Sequence, residues 1–166
     1  IQNKNKNAHI VVRDPVFSVN IKKTKLFLTN IIKSNLSLSF SAEMHLNNID
    51  DEFIYLCAKA NFHWLKFGIE SAFEDIRNSV KRFSVPNDFQ REQINKIKAA
   101  GIKTHGMFIL VQPSDTLETC EKTINYACSL NLDIAQFSIF THYPGTPYYR
   151  RNSKKIIDNF YENYTQ

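Results

Sequence analysis

Two glutamates, Glu43 and Glu70, follow short apolar stretches of the sequence that have the character of β-strands. Residues 65–70 alternate between apolar side chains and smaller or charged ones, which predicts a strand that carries Glu70 at its carboxyl end. Barrels and open α/β sheets keep their chemistry at that end of their strands. Two carboxylates there could act as an acid and a base, or could bind an amine and the hydroxyls of a ribose. A solvated glutamate that simply ends a strand is the alternative.

Polar or ionisable residues follow each of the five strands that the sequence predicts. They are Asp14, Glu43 with His45, Glu70 with Ser71, Gln112, and His142 with Tyr143. Because parallel strands place their carboxyl ends at one rim, five such positions favour a ligand site there. Neither histidine has a second metal ligand two to four residues away, so a zinc site is not favoured.

Strands and helices alternate along the sequence, and this alternation predicts an α/β fold with parallel strands joined by right-handed crossovers. The predicted strands are 9–12, 36–41, 65–70, 103–111 and 134–140. The predicted helices are 21–33, one that starts at residue 50 or 51, a short one within 72–87, one at 87–100, and one that ends near 131. The periodicity fits an open sheet and an incomplete barrel equally well.

Several residues predict where helices begin and end. Asn87 with Gln90, and Asp115 with Glu118, have the spacing of capping pairs at helix starts. Gly101 is a left-handed stop for the helix that begins at Asn87. Asn131 is the corresponding stop for the later helix, whose apolar face is predicted to carry Leu117, Cys120, Ile124, Ala127 and Cys128.

Composition narrows the classes of function. The net charge of +5 is concentrated in residues 1–40, which hold seven Lys or Arg and one Asp. The solvated face of a helix over 21–33 explains this excess better than nucleic-acid binding. The four glycines lie too far apart for a Rossmann or a phosphate-binding loop. The sequence begins at Ile1 rather than at methionine, so we expect a piece of a longer protein.

Neither a membrane span nor a metal motif is predicted. No apolar run reaches eighteen residues, and no signal-peptide pattern opens the sequence. The three cysteines, Cys57, Cys120 and Cys128, lack metal-binding spacing, and the first two lie on apolar helix faces, so buried free thiols are expected. Free thiols are typical of a reducing compartment, which predicts a cytoplasmic location.

The order of several short motifs resembles radical SAM enzymes, most closely the branch associated with cobalamin-binding domains. The resemblance covers about residues 9–150 and rests on the segments 12–17, 41–43, 67–71, 100–102, 106–110, 113–116 and 143–147. It implies an incomplete TIM-type (β/α)6 barrel of which this chain supplies the second to sixth strands. Residues 1–8 would be a disordered lead-in and residues 151–166 a polar tail or helix.

The resemblance also implies which cofactors the whole enzyme uses. In the family, a Cys-x3-Cys-x2-Cys set after the first strand holds a [4Fe-4S] cluster, and neither that strand nor that set is present here. We therefore expect the cluster ligands in an N-terminal segment of a longer protein, which could also bind cobalamin. By itself this chain is expected to form no cluster and to be inactive.

By the same resemblance, six residues would lie near S-adenosylmethionine (SAM). Asp14 would lie near its methionyl amine, and Glu43 and Glu70, with Ser71 beside it, near the amine and the ribose. The strand 107–110, including Ile109, and the following turn with Gln112 would flank the adenine. Val111 and Ser114 stand where the family usually has glycine, so we expect weak or no SAM binding by the chain alone.

The most favoured function is therefore the SAM-cradling portion of a radical SAM enzyme, with a small-molecule cofactor as its partner. Reductive cleavage of SAM to a 5′-deoxyadenosyl radical would be the reaction of the full-length protein. A degenerate binding module on the same scaffold is the alternative. An unrelated aldolase-type barrel is disfavoured because no rim position carries a lysine that could form a Schiff base.

Overall fold

The computed structural model describes residues 8–14, 16–79, 85–141 and 143–152. Within them, five strands form one sheet in which each strand is parallel to its neighbours and the strand order follows the chain. The strands are β1 (His9–Val12), β2 (Ser39–Met44), β3 (Phe62–Glu70), β4 (Lys103–Leu110) and β5 (Ile134–Ile139). Sequential parallel strands with right-handed crossovers place the connecting helices on one face. The predicted α/β class with a parallel sheet is confirmed.

The helices of the described residues alternate with these strands. They are α1 (Ile21–Lys33), α2 (Asp51–Lys59), α3 (Glu74–Ser79), α4 (Asn87–Ala99), α5 (Leu117–Ser129) and α6 (Pro147–Asn152), with a 3₁₀ turn at Leu46–Asn48. None of these helices is long and apolar enough to cross a membrane. The predictions for residues 1–7, for His142 and for 153–166 fall outside the described residues.

Four helices end in the same way, two residues after their last helical residue. Asn35, Asn61, Gly101 and Asn131 have φ angles of 47°, 62°, 80° and 52° and follow α1, α2, α4 and α5. Glycine and asparagine tolerate this left-handed conformation, which stops a helix and turns the chain toward the next strand. The stops predicted at Gly101 and Asn131 are confirmed.

The capping pair predicted at the start of α4 is wrong. The N-cap residue is Pro86, which has no side-chain bond to the helix, and Asn87 is the first helical residue. The amide nitrogen of Asn87 instead donates to the carbonyl oxygen of Ala72 at 2.8 Å. The side chain of Asn87, which the sequence spacing predicted to cap the helix, thus forms a tertiary contact instead.

The capping pair predicted at the start of α5 is also wrong, by one residue. Thr116 is the N-cap and forms a reciprocal capping box with Thr119. Asp115 supports this cap from outside, because its carboxylate accepts from the hydroxyl of Thr119 at 2.8 Å and from the backbone N–H of Gln112, also at 2.8 Å. The loop after β4 and the start of α5 therefore form one hydrogen-bonded unit.

The second strand lies three residues later than predicted. Pairing with β1 begins at Ser39, opposite His9, and pairing with β3 continues to Met44. Leu36 is 39% exposed, so its place in an alternating stretch does not reflect a buried face. This shift puts Glu43 inside the strand.

The core lies between the helices and one face of the sheet. In β3, Leu65, Phe67 and Ile69 are at most 1% exposed, as their alternation predicts. Cys57 of α2 is fully buried there, and burial raises the pKa of its thiol.

The predicted inner face of α5 is partly wrong. Leu117 and Ile124 are 79% and 40% exposed, whereas Thr123 and Ala127 are buried. Cys120 is only partly buried. This helix packs against β4, and all six residues of the next strand, β5, are exposed.

Asp133 ties the start of β5 to the start of β4. Its Oδ2 atom accepts from the backbone N–H and the hydroxyl of Thr104 at 2.8 and 2.9 Å, and from Nζ of Lys98 at 3.4 Å. Partial burial tends to raise the pKa of this carboxyl, but the bonds from Thr104 and Lys98 outweigh it, and the pKa is lowered.

We expect Asp133→Asn to reduce the free energy of unfolding by about 1 kcal/mol near neutral pH. Because the pKa is lower in the folded chain, this stabilisation is complete above the pKa of the unfolded carboxyl and is lost as the pH falls through the folded value. Urea unfolding at about pH 7 and about pH 3 measures the difference. Glu121→Gln, on the exposed face of α5, is the control; equal losses for Asp133→Asn at both pH values would contradict the prediction.

Candidate functional site

The face of the sheet opposite the helices is lined with polar side chains and holds a cavity. Pairing between strands sets Glu43 beside Lys66 and Lys66 beside His105. The cavity, of about 230 Å³, lies toward the carboxyl ends of β2 to β5. The residues that line it include Glu43, His45, Gly68, Glu70, Met107, Ile109, Gln136 and Ser138. The polar concave face thus ends in a hollow flanked by two carboxylates.

The backbone of Glu70 has a left-handed conformation, with φ of 70°. A bulge precedes it, because Gly68 pairs with Met107 and Glu70 pairs with Phe108, leaving Ile69 without a partner in β4. A left-handed glutamate costs on the order of 1–2 kcal/mol, and such strain concentrates at functional sites. Glu70 is only 7% exposed, so its carboxylate is held in place.

Gly68 makes room for the carboxylate of Glu70. A Cβ atom at position 68 would lie 2.9 Å from Oε1 of Glu70, closer than real Cβ contacts allow. The carboxylate therefore folds back along β3 over the glycine, at the wall of the cavity. A side chain at position 68 would displace the carboxylate rather than the backbone, because the nearest atom is the far end of a flexible side chain.

Ser71, which the resemblance places beside the cofactor, points to the helical side. It is 1% exposed, and its hydroxyl lies 3.3 Å from that of Thr123 in α5. The same hydroxyl accepts from the backbone N–H of Phe73 at 3.2 Å. Ser71 thus shapes the loop after β3 and does not line the cavity.

Arg77 holds that loop in place from beneath. Its guanidinium is 2% exposed and donates to the carbonyl oxygen of Ser71 at 2.5 Å and to Oδ1 of Asn87 at 3.0 Å. Asn87 in turn donates to the carbonyl oxygen of Ala72. Burial lowers the pKa of Arg77, with the nearby Tyr126 phenol and acidic residues acting in the opposite direction. The network clamps the two residues that follow Glu70.

Gln112 and Ile109 have different surroundings at the end of β4. Ile109 lines the cavity. Gln112 is 3% exposed, and its side-chain nitrogen donates to the carbonyl oxygen of Ile109 at 3.0 Å, so the amide closes the turn. Val111 between them has φ of 61°, a conformation that suits glycine and strains a β-branched residue.

Asp14 lies beyond the end of β1 and is exposed. Its carboxylate accepts from the backbone N–H of Val16 at 3.0 Å, which makes a local turn. Asp14 is not among the residues that line the cavity, whereas Glu43, Glu70 and Ile109 all are. Three of the six predicted residues therefore share one site.

Sequence reasoning did not single out Gln136 and Ser138 of β5, and it included Met107 only as the first residue of the strand expected to flank the adenine. All three line the cavity. The signal was available in the alternation of each strand, because Met107 shares a face with Ile109, and Gln136 shares one with Ser138. Both methionines of the sequence, Met44 and Met107, are cavity residues.

The cysteines do not fit an iron–sulfur cluster. Cys57 is buried in α2, and Cys120 and Cys128 lie in α5, on the helical side. In the part of the chain that the structure describes, no group of three or more His, Cys, Asp or Glu side chains is arranged to hold a metal ion. The carboxylates and the hollow suit an organic ligand with amine and hydroxyl groups.

We expect Arg77→Met to lower the free energy of unfolding by about 3 kcal/mol, because it leaves the carbonyl and amide groups around the guanidinium buried and unpaired. Arg91→Met is the matched control. Arg91 bonds to the carbonyl oxygen of Ser129 in a solvent-exposed position, so its loss should cost less than about 1 kcal/mol. Similar losses for the two variants in denaturant titrations would argue against a clamp at Arg77.

We expect Val111→Gly to raise the free energy of unfolding by about 1 kcal/mol, because relief of the left-handed strain exceeds the added entropy of the unfolded chain. Val19→Gly is the control, since Val19 is also exposed but has no left-handed backbone. It should be destabilising. Thermal unfolding of both variants measures the two effects. A loss of stability in Val111→Gly would contradict the prediction that the backbone of Val111 is strained.

No protein-family model matches the sequence. The chain is 32% identical over 136 residues to an uncharacterized methyltransferase of Pyrococcus horikoshii, across 80% of this chain and 29% of that protein. It is 24% identical over 156 residues to the anaerobic magnesium-protoporphyrin IX monomethyl ester cyclase of Rubrivivax gelatinosus, across 93% of this chain and 28% of the cyclase. The chain therefore spans less than a third of either relative.

Among solved structures, the chain is similar to TsrM of Kitasatospora setae, a radical S-adenosylmethionine methyltransferase. With cobalamin and a [4Fe-4S] cluster bound, TsrM gives a TM-score of 0.79 at 17% identity, across 89% of this chain and 28% of TsrM. With tryptophan and the SAM analogue aza-SAM bound, the TM-score is 0.71 at 17% identity, across 77% and 26%. At this identity the likeness establishes a shared fold.

Proposed function

From the premise that the chain has the partial-barrel fold of radical SAM enzymes, as its motifs predicted, we propose that it forms the SAM-cradling part of such an enzyme. The observation that carries the proposal is the carboxylate of Glu70, held over Gly68 by a left-handed backbone at the wall of the cavity. The binding of a SAM analogue by TsrM, which shares the fold, supports the same ligand here.

Different side chains of the cavity would contact different parts of the ligand. Glu43 and Glu70 would accept hydrogen bonds from the amine and the ribose hydroxyls, since ionised carboxylates only accept. Met107 and Ile109 would provide an apolar surface for the adenine. In the complete enzyme, SAM beside a reduced cluster would supply a 5′-deoxyadenosyl radical, while these residues only bind and orient the cofactor.

The cluster itself is not expected to form on this chain. Its cysteines do not fit one, so we expect the ligands in a segment of a longer protein that precedes this sequence. After anaerobic reconstitution with iron and sulfide, the chain should contain no stoichiometric iron. A [4Fe-4S] absorption and iron content near four per chain would contradict the proposal.

The second candidate is a degenerate binding module on the same scaffold. The strained Val111 favours it, because the backbone keeps a glycine conformation that its residue no longer suits. The two candidates differ in whether SAM still occupies the cavity, which can be measured on the chain itself.

Methyl NMR of ¹³C-labelled methionine offers a direct test, because both methionines line the cavity. We expect SAM to shift the Met107 signal with a dissociation constant of about 1 mM, weak because the glycines at 111 and 114 are absent. Glu70→Gln should weaken binding about tenfold through loss of a charged acceptor. Gly68→Ala should weaken it similarly while it leaves the fold intact.

Glu121→Gln, on an exposed helical face, should leave the titration unchanged. Methionine signals that stay in place up to about 10 mM SAM would favour the degenerate module, since that concentration exceeds the expected dissociation constant tenfold. Micromolar affinity in calorimetry would instead contradict the weakening assigned to Val111 and Ser114. Restoring both glycines should tighten the binding of SAM.

A further inference from the structure

A row of ionisable side chains crosses this face of the sheet: Glu43 lines the cavity, and Lys66 and His105 lie one layer below the residues of β3 and β4 that line it. Lys66 lies opposite Glu43 of β2 and opposite His105 of β4. Lys66 precedes Gly68 by two residues and His105 precedes Met107 by two, so both share the face that lines the cavity. Two residues of strand separate the layers by about 7 Å, within reach of one small ligand.

The groups in this row have few partners inside the protein. Within the described residues, Lys66 and Glu43 form no ion pair or hydrogen bond with other side chains. Nε2 of His105 is buried and has no hydrogen-bond partner. A buried polar nitrogen without a partner costs about 1–3 kcal/mol, so such an atom calls for an explanation.

Lys66 differs from the other half-buried lysines of the described chain, which serve the fold. Lys25, Lys96 and Lys98 pair with carboxylates, and even the exposed Lys103 lies over the ring of Trp64. Lys66 does neither, although it stands at the centre of the sheet.

Burial and the charge of Lys66 lower the pKa of His105, while interactions with Gln136 and Glu43 oppose the shift. A lowered pKa favours the neutral ring, which carries one N–H group. The ammonium group of Lys66 is the single positive charge in the row, and Glu43 is a negative one. Lys66 can pair with one negative charge, and the neighbouring Glu43 repels any further one, which favours a singly charged carboxylate over a doubly charged phosphate.

We propose that Lys66 and His105 form a subsite for a carboxylate of the substrate, beneath the proposed SAM position. Lys66 would donate a charge-assisted hydrogen bond and His105 a second one from Nε2. The amide of Gln136, which lines the cavity and interacts with His105, would flank the bound group. The assignment to substrate rests on the proposed function, because it requires SAM in the layer above.

Butyrate, with butyramide as its uncharged counterpart, tests the subsite by NMR of the His105 ring nitrogens and the Met107 methyl group. Butyrate should shift both signals and butyramide should shift neither. Lys66→Met should weaken butyrate binding at least about tenfold, and Lys66→Arg should keep it within about threefold. Lys103→Met is the control, since Lys103 shares this face but packs on Trp64, and it should bind butyrate as the parent chain does.

Equal shifts from butyramide, or unchanged affinity in Lys66→Met, would overturn the inference. Glu70→Gln separates it from the proposed function, because this change should weaken SAM and leave butyrate binding intact. If Glu70→Gln weakened butyrate as much as Lys66→Met, the anion would not be anchored in the lower layer, and the inference would fail. If butyrate bound through Lys66 but SAM did not bind at all, the proposed function and the substrate assignment would both fall.

Discussion

The left-handed backbone of Glu70 is the constraint on which the proposed site depends. It reverses the direction of the chain at the end of β3, so that the carboxylate turns back over Gly68 while Ser71 turns to the helices. Strain on the order of 1–2 kcal/mol persists only where the surroundings determine the conformation. The buried guanidinium of Arg77 and the amide of Asn87 supply this determination by fixing the carbonyl groups of the next two residues.

A second strained residue stands at the end of the neighbouring strand, but its surroundings differ. Val111 has φ of 61° and is 57% exposed, and its own side chain gains nothing from the conformation. The turn is maintained by bonds on either side of it, from Gln112 to Ile109 and to Asp115. At the end of β3, a buried hydrogen-bond network therefore holds the left-handed residue in place. At the end of β4, hydrogen bonds hold the turn, but the valine within it does not suit the left-handed backbone.

The sequence predicted the class of the fold because strand and helix periodicities are local properties. The helix stops at Gly101 and Asn131 were also predictable, since a left-handed residue is required there and few residue types allow one. The caps at Asn87 and Asp115 were predicted wrongly, because each side chain forms other hydrogen bonds. Asn87 donates to Ala72, which is distant in sequence, and Asp115 accepts from the hydroxyl of Thr119. Spacing alone cannot reveal that competition.

The same distinction explains the site. Glu43 and Ile109 follow the simple alternation of their strands, which brings them to the cavity, whereas Glu70 reaches it after a bulge and through a left-handed backbone. Ser71 and Gln112 each directly follow a left-handed residue, so alternation could not predict on which side of the sheet their side chains lie. A register of five parallel strands was needed to see that Gln136 belongs to the same hollow.

Register also relates the two layers of the concave face to each other. Glu43 lines the cavity and at the same time stands beside Lys66, so one carboxylate borders both the proposed cofactor position and the proposed acid subsite. A ligand amine above and a ligand carboxylate below would each find an opposite charge within one strand spacing. With Glu43 between them, the two ligands would be electrostatically coupled: a carboxylate bound at Lys66 offsets the positive charge that otherwise competes with the cofactor's amine for Glu43. Binding in one layer should therefore favour binding in the other.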